Sequence, residues 1–211
     1  MPLILVILAF FTFPSMAKSN SEILFERTQL LEKNLLGNNK ILPSPLLEKK
    51  CMDMAKSMLF NQIKQCKIID STQINAYVLA NGHVYFSVAM MQQIKNEHQW
   101  AAILAHENAH LELNHYEKTL IKLQKPGLFF PKLKIKKMMR KHENQADEWS
   151  MKHLKKMGYD ADQNYFFMQR VIKILGNKRS NSHIKTSKRA KSSNSTELID
   201  AELINVIAEL D

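Results

Sequence analysis

The sequence predicts a mainly helical α+β domain with a small antiparallel sheet packed beside one long helix. The 211 residues include only five glycines and six prolines, and 45% are hydrophobic, which favours helices around a substantial core. A run of β-branched and apolar residues is interrupted by Asn81-Gly82, the strongest short-range hairpin signal. Further along the chain, residues 102–115 combine an apolar helical pattern with a polar triplet, His106-Glu107-Asn108.

Two helices are predicted before the sheet. Residues 21–36 show helical spacing of apolar side chains, and Gly37 follows where a helix commonly stops. Ser44 is a good N-cap and Pro45 a good first helical residue, so a second helix is expected from there to about Ile63.

About three strands should form the sheet, and they are expected at residues 67–69, 74–79 and 83–87. The Asn81-Gly82 turn would join the last two as an antiparallel hairpin. An edge strand next to a cleft can hold an extended peptide by pairing with its backbone. The sheet could therefore contribute to binding as well as to the scaffold.

The remaining chain reads as helices divided by one break. Proline and glycine within residues 125–131 interrupt the pattern, and the apolar Leu-Phe-Phe between them fits a packed loop, a lid or a membrane contact. Gly158 stands where a C-cap is expected. The predicted helices are 88–94, a long helix ending between 115 and 123, 135–157, 160–175 and a short acidic helix within 196–211.

The polar triplet belongs to the pattern His106-Glu107-x-x-His110. Residues four apart lie on one helical face, so His106 and His110 can offer two imidazoles to one ion, while Glu107 can reach a water on that ion. Two solvated histidines would be the plainer interpretation. The apolar surroundings favour a metal, because buried histidine and glutamate side chains need partners.

A third ligand is available on the helix predicted at 135–157. Glu143 and Asp147 are four apart and share a face. One could bind the metal while the other holds a ligand histidine through its second ring nitrogen, or the pair could belong to an exposed helix with salt bridges.

The N-terminus predicts export. An apolar run at residues 3–13 precedes small residues that suit cleavage after Ala17, so 1–17 is expected to be a signal peptide, 18–195 one domain and 196–211 a short C-terminal helix. No basic residue precedes the run, which leaves an uncleaved anchor or a buried helix as alternatives.

Export implies an oxidising compartment, which bears on the two cysteines. Cys51 and Cys66 are 15 apart and could form a disulfide or remain two buried thiols. Neither has the spacing of a zinc ligand.

The formal net charge is +10, with basic residues concentrated in 132–141 and 173–191. In an exported protein this charge favours contact with anionic membrane surfaces, although it is commonly only a solvated face. Nucleic acid is not expected as a partner, since no recognition motif is present.

Several ordered motifs resemble the HtpX- and BepA-type zinc metallopeptidases, relatives of the CAAX prenyl protease. They are Asn75-Ala76-Tyr77, Gly82-His83-Val84-Tyr85, residues 102–110 with His115, residues 143–147, and Met157-Gly158-Tyr159-Asp160. The resemblance extends over about residues 45–190. It implies a zincin-like domain with one zinc ion. With its predicted signal peptide the chain resembles the soluble periplasmic branch of the family, which implies action on misfolded or envelope proteins in quality control.

The resemblance also implies roles for single residues. His106, His110 and Glu143 would bind zinc, Glu107 would be the catalytic base, and Asp147 would support a ligand. Ser182-His183 and Arg189 resemble a further segment near the family's active site, where they would stabilise the transition state. Ile184 replaces the family's proline there.

The expected activity is therefore that of a zinc endopeptidase. Two alternatives stay open: a zinc-stabilised, chaperone-like factor that binds misfolded envelope proteins without efficient proteolysis, and a basic membrane-surface protein whose motif is accidental.

Overall fold

The computed structural model of the protein describes residues 18–124, 131–175 and 196–210. The helices and strands of these ranges are, in chain order, α1 (Asn20–Asn38), β1 (Ile41–Leu42), α2 (Pro45–Ser57), β2 (Gln65–Ile69), β3 (Ala76–Val78), β4 (His83–Ser87), α3 (Val88–Met91), α4 (Glu97–Glu112), α5 (His115–Gln124), α6 (Pro131–Lys156), α7 (Gln163–Leu175) and α8 (Ala201–Ala208). The mainly helical α+β class is confirmed.

The sheet has the strand order β1-β2-β4-β3 and is mixed. The predicted hairpin is confirmed, because β3 and β4 pair antiparallel with Tyr77 opposite Tyr85. The structure differs from the expected antiparallel sheet in two respects: β1 is an additional strand, and β2 pairs parallel with β4. Strand periodicity shows which residues share a face but does not specify the neighbouring strand, which depends on how residues 70–75 cross the sheet.

Gly82 makes the hairpin turn tight. It has a φ of +84°, and a Cβ atom at this position would lie 2.0 Å from the Gln62 carbonyl oxygen. The turn therefore needs glycine both for its backbone conformation and for the close approach of a neighbouring loop.

Helix α2 ends six residues before the predicted Ile63. Leu59 adopts a φ of +60°, and the Phe60 amide donates to the Ala55 carbonyl at 2.8 Å, which closes the helix as a capping turn. The left-handed residue in such a turn is usually glycine. Because leucine occupies it here, the sequence carried no stop signal.

Helix α4 runs through the core. It packs against β3, α6 and α7, and all its residues from Gln99 to Leu111 are buried. Trp100 contacts Phe86 of the sheet edge-to-face, with ring centroids 5.9 Å apart. The polar triplet on α4 is therefore held inside the protein by the apolar residues around it.

Two further contacts tie the chain together. Cys51 and Cys66 are bonded, with an S–S distance of 2.05 Å, and this links α2 to β2. The C-terminal helix α8 buries Leu203 and Ile207 in the main core, and Arg170 pairs with Glu197 just before it. The C-terminal segment thus packs onto the same core as the rest of the described chain.

Some predictions fall outside the described residues, namely the signal peptide at 1–17, the loop at 125–130, His183 and Arg189. Among the helices that the structure describes, none has both the length and the apolarity needed to cross a membrane.

Candidate metal centre

The packing of α4 against α6 brings together three side chains that can bind a metal. His106, His110 and Glu143 each offer one donor atom, and these atoms all lie within 4.8 Å of one another. The two histidines are 7% and 5% exposed. Ala105 and Ala109, which directly precede them, are fully buried, so the imidazoles lie in a protected site.

The distances between the donor atoms fit a zinc ion. Nε2 of His106 lies 3.3 Å from Nε2 of His110 and 3.4 Å from Oε2 of Glu143, and His110 Nε2 lies 3.8 Å from Glu143 Oε1. Tetrahedral ligands bound at the usual zinc distances stand roughly 3.3 Å apart. Two neutral nitrogens and one carboxylate are also a donor set that zinc accepts in catalytic sites.

Each histidine of the candidate site is held through its Nδ1 atom. His106 Nδ1 lies 2.8 Å from Asp147 Oδ1, and His110 Nδ1 lies 3.0 Å from His115 Nδ1. Such contacts set the tautomer and the ring orientation, so that Nε2 keeps its lone pair for the metal. Of the two carboxylates that share a face of α6, Glu143 thus lies with the donor atoms and Asp147 holds the second ring nitrogen of His106.

A buried histidine pair lies behind His110. The rings of His115 and His142 stack at 4.1 Å with an interplanar angle of 5°. Burial lowers the pKa of His115 to about 4, helped by the nearby charges of His142 and Lys118. Burial also lowers the pKa of His142. Both imidazoles are therefore neutral at physiological pH.

A cleft opens beside the ligands. Glu107 and His106 line it together with Asn75 and Ala76 at the start of β3. Its remaining wall is mostly apolar and comes from four helices: Met90, Ala102, Ile103, Met151, Leu154, Phe167 and Met168. A peptide segment with apolar side chains could enter the cleft next to Glu107.

Two tyrosines lie near the Glu107 carboxylate. The Tyr116 hydroxyl donates to the carbonyl oxygen of Val78, which ties the start of α5 to β3. Burial raises the pKa of Tyr77 and of Tyr116, and the Glu107 carboxylate adds to both effects. Both hydroxyls therefore stay protonated.

The structure unites all the described residues that were predicted for the site. His106, Glu107, His110, Glu143 and Asp147 lie within one region between α4 and α6. Sequence reasoning missed the contact of His115 with His110, the stacked His142, and the cleft wall from α7. Although His115 stood among the motif residues of the resemblance, its spacing did not indicate this contact, since residues five apart do not share a helical face.

The fold and the arrangement of these side chains are those of a mainly helical, zincin-like domain with a candidate metal site. Comparison with known proteins agrees: residues 42–131 match Peptidase family M48. Over 48 residues the chain is also 40% identical to Metalloendopeptidase OMA1, mitochondrial, of Bos taurus. That alignment covers 23% of this chain and 9% of the bovine protein. The part of the chain that matches family M48 contains the His106-Glu107-x-x-His110 pattern, in agreement with the resemblance seen in its motifs.

Proposed function

We propose that this protein is an endopeptidase in which His106, His110 and Glu143 hold one zinc ion per chain and Glu107 is the general base. The convergence of three donor atoms at 3.3–3.8 Å on two packed helices carries this proposal. The family match and the position of Glu107 in the same cleft support it.

Zinc bound there would supply Lewis acidity, which activates a water molecule and polarises a peptide carbonyl. Glu107 takes the proton from the attacking water and later passes it to the leaving amine nitrogen. Asp147 holds His106 in the required tautomer throughout. His183 and Arg189 would stabilise the developing negative charge on the carbonyl oxygen, and these two roles remain predictions.

The proposed substrates are extended segments of unfolded or misfolded envelope proteins. Strand β3 lies at the edge of the sheet, and Asn75 and Ala76 beside it line the cleft. A peptide can pair with such an edge through its backbone, which requires an unfolded segment and little sequence preference. The apolar cleft wall would then accept the side chains that unfolding exposes.

Glu107→Gln tests the mechanism, with Glu112→Gln as a matched control on the exposed side of the same helix. We expect the Glu107 variant to bind one zinc ion per chain by metal analysis and to lose casein cleavage by about 100-fold or more. The control variant should keep both properties. Undiminished cleavage by Glu107→Gln would refute the proposed base.

The apolar cleft also suits the alternative of a zinc-stabilised, chaperone-like binding factor. The two functions are separated by the same variant in an aggregation assay with an unfolded substrate protein. A binding factor would suppress aggregation equally well with Glu107→Gln, and wild-type protein would release no fragments. An endopeptidase would release fragments that the variant does not.

The proposed compartment is the periplasm. The predicted signal peptide at 1–17 supports it, and so does the Cys51–Cys66 disulfide, since oxidising compartments preserve such bonds. Cell fractionation with N-terminal sequencing tests this placement. A mature chain that starts at Lys18 is expected, whereas an intact N-terminus in the membrane fraction would indicate an anchor at residues 3–13.

Peripheral contact with anionic membranes is proposed for the first half of α6. Its exposed basic side chains are Lys134, Lys136, Lys137, Arg140 and Lys141, with no acidic residue among them. Sedimentation with vesicles tests the contact. Binding should need anionic lipid and weaken as salt rises, and equal binding to neutral vesicles would contradict it.

A further inference from the structure

We infer that His115 is a positioning residue for the ligand His110, and that it acts by accepting a hydrogen bond from Nδ1–H of His110. This inference rests on the proposed metal site. The two Nδ1 atoms are 3.0 Å apart, and both side chains are buried. At His106 the corresponding nitrogen faces the Asp147 carboxylate instead.

The direction of the bond follows from the chemistry of imidazole. A neutral histidine carries one ring N–H, and the nitrogen that binds a metal must keep its lone pair. His110 Nε2 faces His106 and Glu143, so Nε2 is the ligand atom and Nδ1 carries the hydrogen. His115 Nδ1 must then be the acceptor, with its own hydrogen on Nε2.

A break in the helix makes this contact available. In a continuous helix, side chains five residues apart diverge by roughly 140° around the axis. Here α4 stops at Glu112, Asn114 takes the left-handed conformation with a φ of +53°, and α5 begins at His115. The change of direction turns the His115 ring back onto His110.

Helix α6 holds the His115 ring in place from the other side. His142 precedes the ligand Glu143 and stacks on His115 at 4.1 Å, almost parallel. Thr119 Oγ1 also donates to the His115 carbonyl at 2.7 Å, which braces the first turn of α5. The orientation of His110 is thereby coupled to the helix that provides the third ligand.

Two substitutions of nearly equal shape isolate the hydrogen bond. His115→Asn places an amide oxygen near the Nδ1 position, while His115→Leu fills the same space without an acceptor. Both lose the stacking on His142, so this loss cancels in the comparison. His153→Leu is the control, because His153 is a half-buried histidine on α6 that also stacks on an aromatic ring, that of Trp149.

Zinc affinity is measured by competition with a chromophoric chelator, and the melting temperature of each metal-free variant reports folding. Loss of an outer partner of a ligand histidine typically weakens metal binding about 10–100-fold. We expect such a loss for His115→Leu, at least a fivefold tighter affinity for His115→Asn than for His115→Leu, and wild-type affinity for the control.

Equal zinc affinities for the Asn and Leu variants would overturn the inference, as would wild-type affinity in His115→Leu. If His115→Leu does not fold, His115→Ala takes its place in the same comparison with the same criteria. Wild-type protein that binds no zinc would refute the proposed function itself. Wild-type protein that binds zinc, with His115 variants that bind it equally well, would refute only the role of His115.

Discussion

Replacing Asp147 should weaken zinc binding without unfolding the protein. Its carboxylate oxygen lies 2.8 Å from His106 Nδ1, within the range of a charge-assisted hydrogen bond. Such bonds contribute about 1.5–3 kcal/mol, which corresponds to a factor of roughly 10–150 in an equilibrium constant. The side chain is 24% exposed, so solvent screening places the expected effect near the lower end.

The expected losses differ between two variants of Asp147. For Asp147→Leu, which removes every acceptor, we expect zinc affinity to fall by about 10–30-fold. Asp147→Asn keeps a neutral acceptor oxygen, and its affinity should fall by a smaller factor, roughly 3–10. Chelator competition on purified protein gives both values, and circular dichroism of the metal-free variants checks that the fold is retained.

Glu148→Gln is the matched control for Asp147. Glu148 is the next residue on α6, its side chain is 69% exposed, and it pairs with Lys152 on the surface. This variant should bind zinc with wild-type affinity. The reasoning fails if Asp147→Leu binds zinc within twofold of wild type, or if Glu148→Gln loses as much affinity as Asp147→Leu.

Three further predictions concern stability. Replacing Cys51 and Cys66 together by alanine opens a 15-residue loop and should cost about 3 kcal/mol in urea unfolding; an unchanged urea midpoint would contradict this. Burial alone would raise the pKa of the Glu32 carboxyl. Hydrogen bonds to this carboxyl, the strongest effect coming from Tyr85, outweigh burial and lower the pKa below 4.5. The pKa of Glu32 is therefore lower in the folded protein than in the unfolded chain. Wild type should be more stable than Glu32→Gln by its full margin above pH 4.5, and this margin should shrink as the pH falls; a margin that does not change with pH would contradict the prediction. Gly82→Ala should lower the free energy of unfolding by more than about 1 kcal/mol in thermal unfolding, because residue 82 has a positive φ and the added Cβ would clash with a backbone oxygen. An unchanged melting temperature would contradict both reasons.

Contacts of Glu32 also connect the first helix, α1, to the hairpin beside the site. Glu32 on α1 accepts hydrogen bonds from Tyr85 and Asn81, on β4 and its hairpin turn, and contacts His83. Strand β4 pairs with β3, whose edge borders the cleft. The outer helix therefore braces the sheet whose edge strand β3 is proposed to hold substrate.

Local patterns were enough to predict the helical class, the hairpin and the chemical content of the site. The i, i+4 spacing of His106 and His110, and that of Glu143 and Asp147, specifies a shared face on each helix whatever the tertiary context. Likewise, Asn81-Gly82 specifies a turn through the backbone conformations that these two residues allow. The capping glycine at 158, with a φ of +79°, acts in the same local way.

Only the tertiary structure decided how these pieces meet. Whether Glu143 or Asp147 faces Nε2 of His106, and with it the proposed metal position, depends on the rotation of α6 against α4. The parallel pairing of β2 with β4 likewise depends on a chain crossing. The contact of His115 with His110 depends on a left-handed residue at Asn114, where no glycine marked the break. Sequence spacing determines which side chains share a face, whereas packing between distant segments determines what that face meets.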